Sequence, residues 1–473
     1  MKNLIIKDIL KVTNGNLIIG DENEKCKNFS NDTRKINEGD TYLGLKGENF
    51  DGNTLWKEAL EKGAKTIIIQ GIDFSKEDLT KFEKENKNII EVKDTKIALQ
   101  KIAEYKRSLY GEDFILVGVT GSVGKTSTKD MIASVFSQKY KTLKTEGNFN
   151  NEIGLPLTLL KLEDHQAAVI EMGMNHFGEI RLLTNIAKPT ISVITNIGTS
   201  HIGNLGSREN ILKAKLEILE GMKNPRIVIN NDNDMLNSWN ENNKEDIEIH
   251  TYGIENDSEV MAKDIVLNEN SSDFECIIGK ESFKIHVPVG GVHFVYNAIC
   301  AIAVAKVYNI SNEEIKKGIE SFTLTKKRMD ITDLKNNIKI INDAYNASLE
   351  SMQASLKNLS SYKNRRKIAV LGDMFELGEY SEKMHRKVGD EFVKQNIDVL
   401  VCLGENSKFI CEEAENLKGS LDNIKHFKNR EDLIEFLKQF VKAGDVVLFK
   451  ASNGMKFFDI ANEMINYFSK SGC

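Results

Sequence analysis

The sequence is poor in several things, and each shortage narrows what the chain can be. Only four of its 473 residues are proline, beside abundant Lys, Asn and Ile. That pattern reads as genome composition bias and carries no function. The six cysteines, Cys26, Cys276, Cys300, Cys402, Cys411 and Cys473, form no C-x-x-C pair. A disulfide framework is not expected at this length, so the expected compartment is the reducing cytoplasm. No window approaches the roughly 18–20 apolar residues of a membrane span. The opening MKNLIIKDILKVTNG is too short of apolar residues for a signal peptide and reads as a short strand or helix. Basic charge is not in excess: the formal net charge is −6, so no nucleic-acid-binding surface is expected. What remains, 40% hydrophobic and 28% charged residues, fits a globular protein of two to four domains.

One further absence is local. FILVGVTGSVGKTSTKDMIASVF, residues 114–136, reads as a strand, a glycine turn and a helix. It ends a phosphate loop, G-x-x-x-x-G-K-[ST], at Gly124-Lys125-Thr126, but Val119 stands where the first glycine belongs. The chemistry survives that change. Gly121 and Gly124 let the backbone curl so that N–H groups face phosphate oxygens, and the helix adds its positive end. Lys125 is suited to phosphate charge and the Thr126 hydroxyl to Mg²⁺. Met131, Ile132, Val135 and Phe136 give the helix a buried face.

Three blocks follow from the patterning. Residues 1–108 hold short β-rich runs (TYLGLKG, TIIIQG, NIIEVKD) and close with a helix ending near Gly111. Residues 109–322 alternate continuous apolar runs (FILVGVTG, AAVIEMG, TISVITNIG, RIVIN) with helical stretches, which suits buried parallel strands in a doubly wound α/β sheet. Residues 323–473 repeat that alternation on a smaller scale, with KIAVLGDM, VLVCLG and DVVLFKAS as strands.

VTGSVGKTST resembles the loop of the Mur ligases, ATP-dependent amide-forming enzymes of peptidoglycan synthesis, whose pattern T-G-[ST]-x-G-K-[ST]-[ST] usually lacks the early glycine. TEGNFNNEIGLPLTLL, EMGMNHFGEI, TNIGTSHIGNLGSRENILKAKLEIL, NDAYNASLESM, LGDMFELGEYSEKMHRKVG and NDTRKINEGDTYLGLKGENFDGN extend the resemblance over nearly the whole chain. It implies a three-domain Mur ligase architecture, with a central P-loop sheet and a C-terminal Rossmann-like α/β domain. It also implies a ligase that joins D-alanyl-D-alanine to the carboxylate of UDP-N-acetylmuramoyl-tripeptide through an acyl phosphate. The first block would bind the UDP-sugar substrate, the second ATP, and the third adenosine and the dipeptide.

Site roles carry over by the same resemblance. Thr120, Gly121, Ser122, Val123, Gly124, Lys125, Thr126 and Ser127 would hold ATP, with His293 and Asn297 of GVHFVYNA beside the nucleotide. Arg328 would reach the phosphates on domain closure, and Asp343 and Asn346 of INDAYNAS the adenosine side. Thr126, Glu171, His201 and Lys215 would serve Mg²⁺, with Lys125, Lys215 and His201 catalytic. By pattern alone Lys213 and Lys215 are solvated charges beside a stripe of Ile211, Leu212, Leu216 and Leu219; by resemblance Lys215 is carbamylated by CO₂. Asn148, Asn150 and Asn151 would orient substrate or phosphates, and Asp32, Thr33, Arg34, Lys46 and Gly47 the UDP-sugar. Gly44, Asn53, Ala451 and Asn453 depart from the family pattern. The expected state is a monomer without nucleic-acid partners. Competing readings are a sibling ligase adding the third stem amino acid or a glutamate to folate, a P-loop NTPase switch or motor, and a nucleotide-binding scaffold.

Overall fold

The computed structural model of the protein describes residues 4–324, 329–418 and 423–470. The opening segment is both a strand, Leu4–Ile5, and a helix, Ile6–Thr13. Near it lies a five-stranded sheet in the order Asn16–Ile19, Asn88–Glu91, Thr66–Ile69, Thr41–Leu43, Phe29–Ser30. Only its first pair is antiparallel. The helix Thr95–Ser108 leads out of it, capped by Asp94, and Gly111 beyond it takes φ +71. Arg107 near its end is buried and donates to the carbonyls of Ala187 and Lys188 at 3.0 and 3.1 Å, which ties the first block to the second.

Among the described residues the central sheet has nine strands. The strand Ile115–Thr120 lies between Ala167–Glu171 and Ile191–Ile194, parallel to both. Thr142–Lys144 continues one side; Arg226–Asn230, Glu248–Gly253 and Val260–Leu267 continue the other, all parallel. The chain order therefore switches direction beside Ile115–Thr120, where an open α/β sheet leaves its binding crevice. The far edge differs from a purely parallel sheet. Val260–Leu267, Ser272–Ile278 and Glu281–Val287 form an antiparallel meander, which the apolar-run pattern did not pick out because its outer residues alternate with exposed ones.

Among the described residues the C-terminal sheet has six strands, ordered Asp330–Asp333, Lys339–Asn342, Val446–Lys450, Lys367–Gly372, Val399–Leu403 and Ile424–Phe427. All pairs after the first are parallel. The three apolar runs of the sequence are its buried centre. Asp330–Asp333 and Ile424–Phe427 are edge strands of mixed burial, and Lys339–Asn342 is a fully buried fourth. No helix among the described residues is long and apolar enough to cross a membrane.

Candidate active site

Strand register places the chemistry. Glu171 pairs with Val119 and Ile194 with Thr120, so three strands end together and their following loops converge. The middle loop is the phosphate loop. Gly121 has φ +148, and a Cβ there would lie 1.9 Å from Thr195 Oγ1, so only glycine fits. Gly124, at φ +82, turns the chain into the helix Lys125–Phe136. The loop is braced from the neighbouring strand end. Asn196 accepts from Ser122 N through its carbonyl and from Val123 N through Oδ1, each at 3.0 Å.

Lys125 Nζ donates to the carbonyls of Gly121 and Ser122 at 2.8 and 3.2 Å. Below it Thr126 is buried and donates to Glu171 Oε2 at 2.8 Å, while Asn150 Nδ2 donates to Oε1 at 2.8 Å. Glu171 is only 2% exposed. No Lys, Arg or His lies within ion-pair distance of it among the described residues. A buried carboxylate held only by a hydroxyl and an amide is an uncompensated charge, which a cation would relieve. Thr128 donates to Asn297 Oδ1 at 2.9 Å, joining the phosphate-loop helix to the helix Val292–Val307. His293, on the first turn of that helix, has its pKa lowered to about 4 by burial, so its imidazole is neutral near pH 7.

A cleft of about 700 Å³ runs from this loop to the C-terminal domain. Ser122, Val123, Gly124, Lys125 and Ser127 line it, with Asn148, Asn150, Asn151, Glu171 and His201 along one side. His293, Asn297, Asp343 and Asn346 line it as well. Thr120, Gly121 and Thr126 sit beneath that surface, and the buried Thr120 hydroxyl has no partner among the described residues.

Lys215 is the clearest departure from pattern reading. Lys213 is exposed, but Lys215 is 1% exposed on the helix Arg208–Leu216. Desolvation, with the charge of Lys125 nearby, lowers its pKa well below the usual lysine value. A lysine between Ala214 and Leu216 gives no periodic sign of burial, because what covers it comes from elsewhere in the chain. His201 follows the strand Ile191–Ile194 in a left-handed conformation, φ +64, and its Nδ1 lies 2.5 Å from Glu376 Oε2 of the C-terminal domain. Its Nε2 has no hydrogen-bond partner among the described residues.

The structure also adds residues. Register pairs Asn342 with Phe449, so the next residues, Asp343 and Lys450, meet at the strand ends. Lys450 Nζ donates to Asp343 Oδ2 at 2.6 Å, Ser355 Oγ donates to the same oxygen at 2.7 Å, and both Lys450 and Ser355 line the cleft. Glu350 lines it too and accepts from Thr199 N at 2.7 Å. No residue-type motif announces these pairs, of which Glu350–Thr199 joins two domains and the others lie within the C-terminal one.

The first-block residues are not part of this cleft. Arg34 is exposed and forks onto Asp32 at 2.8 and 2.9 Å, an arrangement that holds the Asp32 carboxyl at about 2. Thr33 donates to Glu58 at 2.9 Å, the backbones of Lys46 and Asp51 pair as an isolated antiparallel β-bridge, and Gly47 N donates to Phe50 O at 2.9 Å. Gly44 and Asn53, the two departures in this block, are packed together: a Cβ at Gly44 would stand 2.8 Å from Asn53 Oδ1. Arg328 lies outside the described residues. The chain does contain one N-K-x-D tetrapeptide, the guanine-reading pattern of GTP-binding switches, at Asn243–Asp246. It is a largely exposed segment after the helix Asp234–Asn242 and lines no part of the cleft.

Known proteins match the chain throughout. The family models described as Mur ligase family, catalytic domain, Mur ligase middle domain, and Mur ligase, glutamate ligase domain match residues 25–107, 119–305 and 327–453. The UDP-N-acetylmuramoyl-tripeptide--D-alanyl-D-alanine ligase of Bacillus subtilis is 38% identical over 97% of this chain and 98% of its own length. The protein of the same name from Escherichia coli is 31% identical over 88% of each chain. The crystal structure of MurF from Acinetobacter baumannii superimposes with TM-score 0.86 at 28% identity, covering 98% of this chain and 99% of that one. That of MurF ligase from Thermotoga maritima in complex with ADP gives TM-score 0.80 at 27% identity, covering 94% and 99%. A braced phosphate loop over a buried glutamate, in a chain that these proteins match over most of its length, makes this chain a member of the Mur ligase family.

Proposed function

We propose that this chain is the ATP-dependent ligase that joins D-alanyl-D-alanine to the tripeptide carboxylate of UDP-N-acetylmuramoyl-tripeptide. Its products would be ADP, phosphate and the pentapeptide precursor of peptidoglycan. The observation that carries the reading is end-to-end similarity to ligases of that name, on a chain whose own phosphate loop and Glu171 open into one interdomain cleft. The reaction belongs in the cytoplasm, where ATP and the UDP-linked precursor are. The expected state is a monomer, a reading supported by a cleft lined by two domains of one chain.

The tripeptide carboxylate attacks the γ-phosphorus and ADP leaves, giving an acyl phosphate. The neutral dipeptide amine then attacks the acyl carbon, a tetrahedral oxyanion forms, and as it collapses the bond to phosphate breaks, phosphate departs and the nitrogen gives up a proton. Lys125 would leave the carbonyls of Gly121 and Ser122 and turn its charge onto the β- and γ-phosphates. Thr126 and Glu171 offer hard oxygens that fit Mg²⁺, an ion that keeps waters and phosphate oxygens for the rest of its shell, and His201 Nε2 would serve a second ion. Magnesium there would offset charge on the transferring phosphoryl group. Neutral His293 and Asn297 would border the nucleotide, with Asp343 and Asn346 on the adenosine side. Arg328, outside the described residues, would reach the phosphates on closure. Asn148, Asn150 and Asn151 would orient the reacting groups, and the Asp32–Gly47 region of the first block the UDP-sugar. Burial favours the neutral amine of Lys215, the form that adds CO₂ to give a carbamate and a proton. Domain closure would keep water from the acyl phosphate.

The test is phosphate release from ATP with Mg²⁺, supplying both substrates and then omitting each. Release that needs both, with a pentapeptide product in the mass spectrum, is the expected result. Release with neither substrate would replace the ligase by a plain NTPase.

A further inference from the structure

The segment from Thr195 to Gly206 touches two structures at once. On one side it holds the phosphate loop. Gly198 N donates to Ser122 Oγ at 2.9 Å, Asn196 takes the N–H groups of Ser122 and Val123, and Thr195 Oγ1 donates to Val123 O at 2.6 Å. On the other side the C-terminal domain grips it. Glu350 accepts from Thr199 N at 2.7 Å and from Thr199 Oγ1 at 3.2 Å. Gly203 N donates to Glu376 O at 3.0 Å, and Tyr380 OH donates to Gly206 O at 2.8 Å.

The changeover is one peptide wide. Consecutive N–H groups go to different domains: that of Gly198 to the phosphate loop, that of Thr199 to Glu350. Gly198 is what allows it, since a Cβ there would stand 2.6 Å from Glu350 Cδ. Arg208 donates to Ile197 O at 2.7 Å, next to Gly198 on the same segment. Glu350 itself is fixed as the second residue of the helix Leu349–Ser360, which Ser348 caps.

We propose that Glu350 is a positioning residue for the phosphate loop. It acts through Thr199 and Gly198 on Ser122, so that nucleotide affinity at the loop depends on a carboxylate of another domain. Linkage makes the dependence mutual: nucleotide that orders Ser122 strengthens the hold of the C-terminal domain on this segment. The inference rests on the ATP reading above and adds a route by which nucleotide binding and domain closure assist each other.

The test is calorimetric titration of the full chain with Mg-ADP, in the wild type, Glu350→Ala, Glu350→Gln, Ser122→Ala and the Glu350→Ala/Ser122→Ala double variant. Glu350→Ala should raise Kd about tenfold, the scale of one lost charge-assisted hydrogen bond. Glu350→Gln keeps an oxygen for Thr199 N and should recover to within about threefold of wild type. In the Ser122→Ala background, adding Glu350→Ala should change Kd by less than about twofold, because the route is already cut. Should Glu350→Ala not fold, Thr199→Val tests the same route, with about a threefold loss that vanishes in the Ser122→Ala background. An unchanged Kd in Glu350→Ala, or a full loss that persists without the Ser122 hydroxyl, overturns the proposal; the latter would mean direct contact with nucleotide. A wild-type chain that fails to bind Mg-ADP overturns the ATP reading instead.

Discussion

Gly121 offers the sharpest test of the loop geometry. Its φ of +148 is one that L side chains rarely adopt, and a Cβ would lie 1.9 Å from Thr195 Oγ1. That hydroxyl also donates to Val123 O, so it cannot move away without releasing the loop. Gly121→Ala therefore carries backbone strain of about 1–3 kcal/mol and a lost hydrogen bond of about 1 kcal/mol. The sum, about 2–4 kcal/mol, corresponds to about a 30- to 1,000-fold rise in the Kd for Mg-ADP if the loop yields rather than the whole domain. Calorimetry measures this, with the melting temperature as a control for global unfolding. A second variant separates the two causes. In a Thr195→Ala background the oxygen is gone and the nearest remaining Thr195 atoms, Cβ and N, stand at 3.1 Å. Gly121→Ala should then cost less, leaving mainly the strain. A Gly121→Ala protein that binds Mg-ADP within twofold of wild type, at an unchanged melting temperature, would refute the geometry described for this loop.

Other expectations follow from the same cleft. Lys125→Ala should leave the fold intact and nearly abolish ligation, as seen by coupled phosphate release; full activity in the folded variant would remove the phosphate loop from the mechanism. Lys215→Ala should lose activity and recover part of it with a short carboxylic acid, and wild type incubated with ¹³C-bicarbonate should show a carbamate signal that the variant lacks; wild-type rates in the unrescued variant would dispose of the carbamate. For His293 the folded pKa, about 4, lies below the unfolded value of 6.5, so its contribution to stability is fully present above pH 6.5 and is lost as pH falls through about 4. On acidification from pH 7 to 4.5 the melting temperature of wild type should fall more than that of His293→Gln; parallel curves would mean that His293 is not held neutral.

The sequence by itself determined the parts whose signals are local. Gly121, Gly124, Lys125 and Thr126 are neighbours in the chain, and a turn followed by a helix needs nothing distant to be recognised. Glu171 was legible for a related reason: it ends a continuous apolar run, and such runs become buried parallel strands whose ends carry ligands. The antiparallel meander of residues 260–287 was not legible, because strands half exposed at a sheet edge lack that continuity. Tertiary structure alone decided the environment of side chains. It buried Lys215 beside Lys125 and lowered its pKa, where helical pattern had placed it in solvent. It set Lys450 on Asp343 and Glu350 on Thr199, partners 107 and 151 residues apart. It also kept the first-block residues out of the central cleft. Backbone conformation is written in neighbouring residues, whereas desolvation and charge pairing depend on whichever distant segment folds against a side chain, and no short stretch of sequence contains that segment.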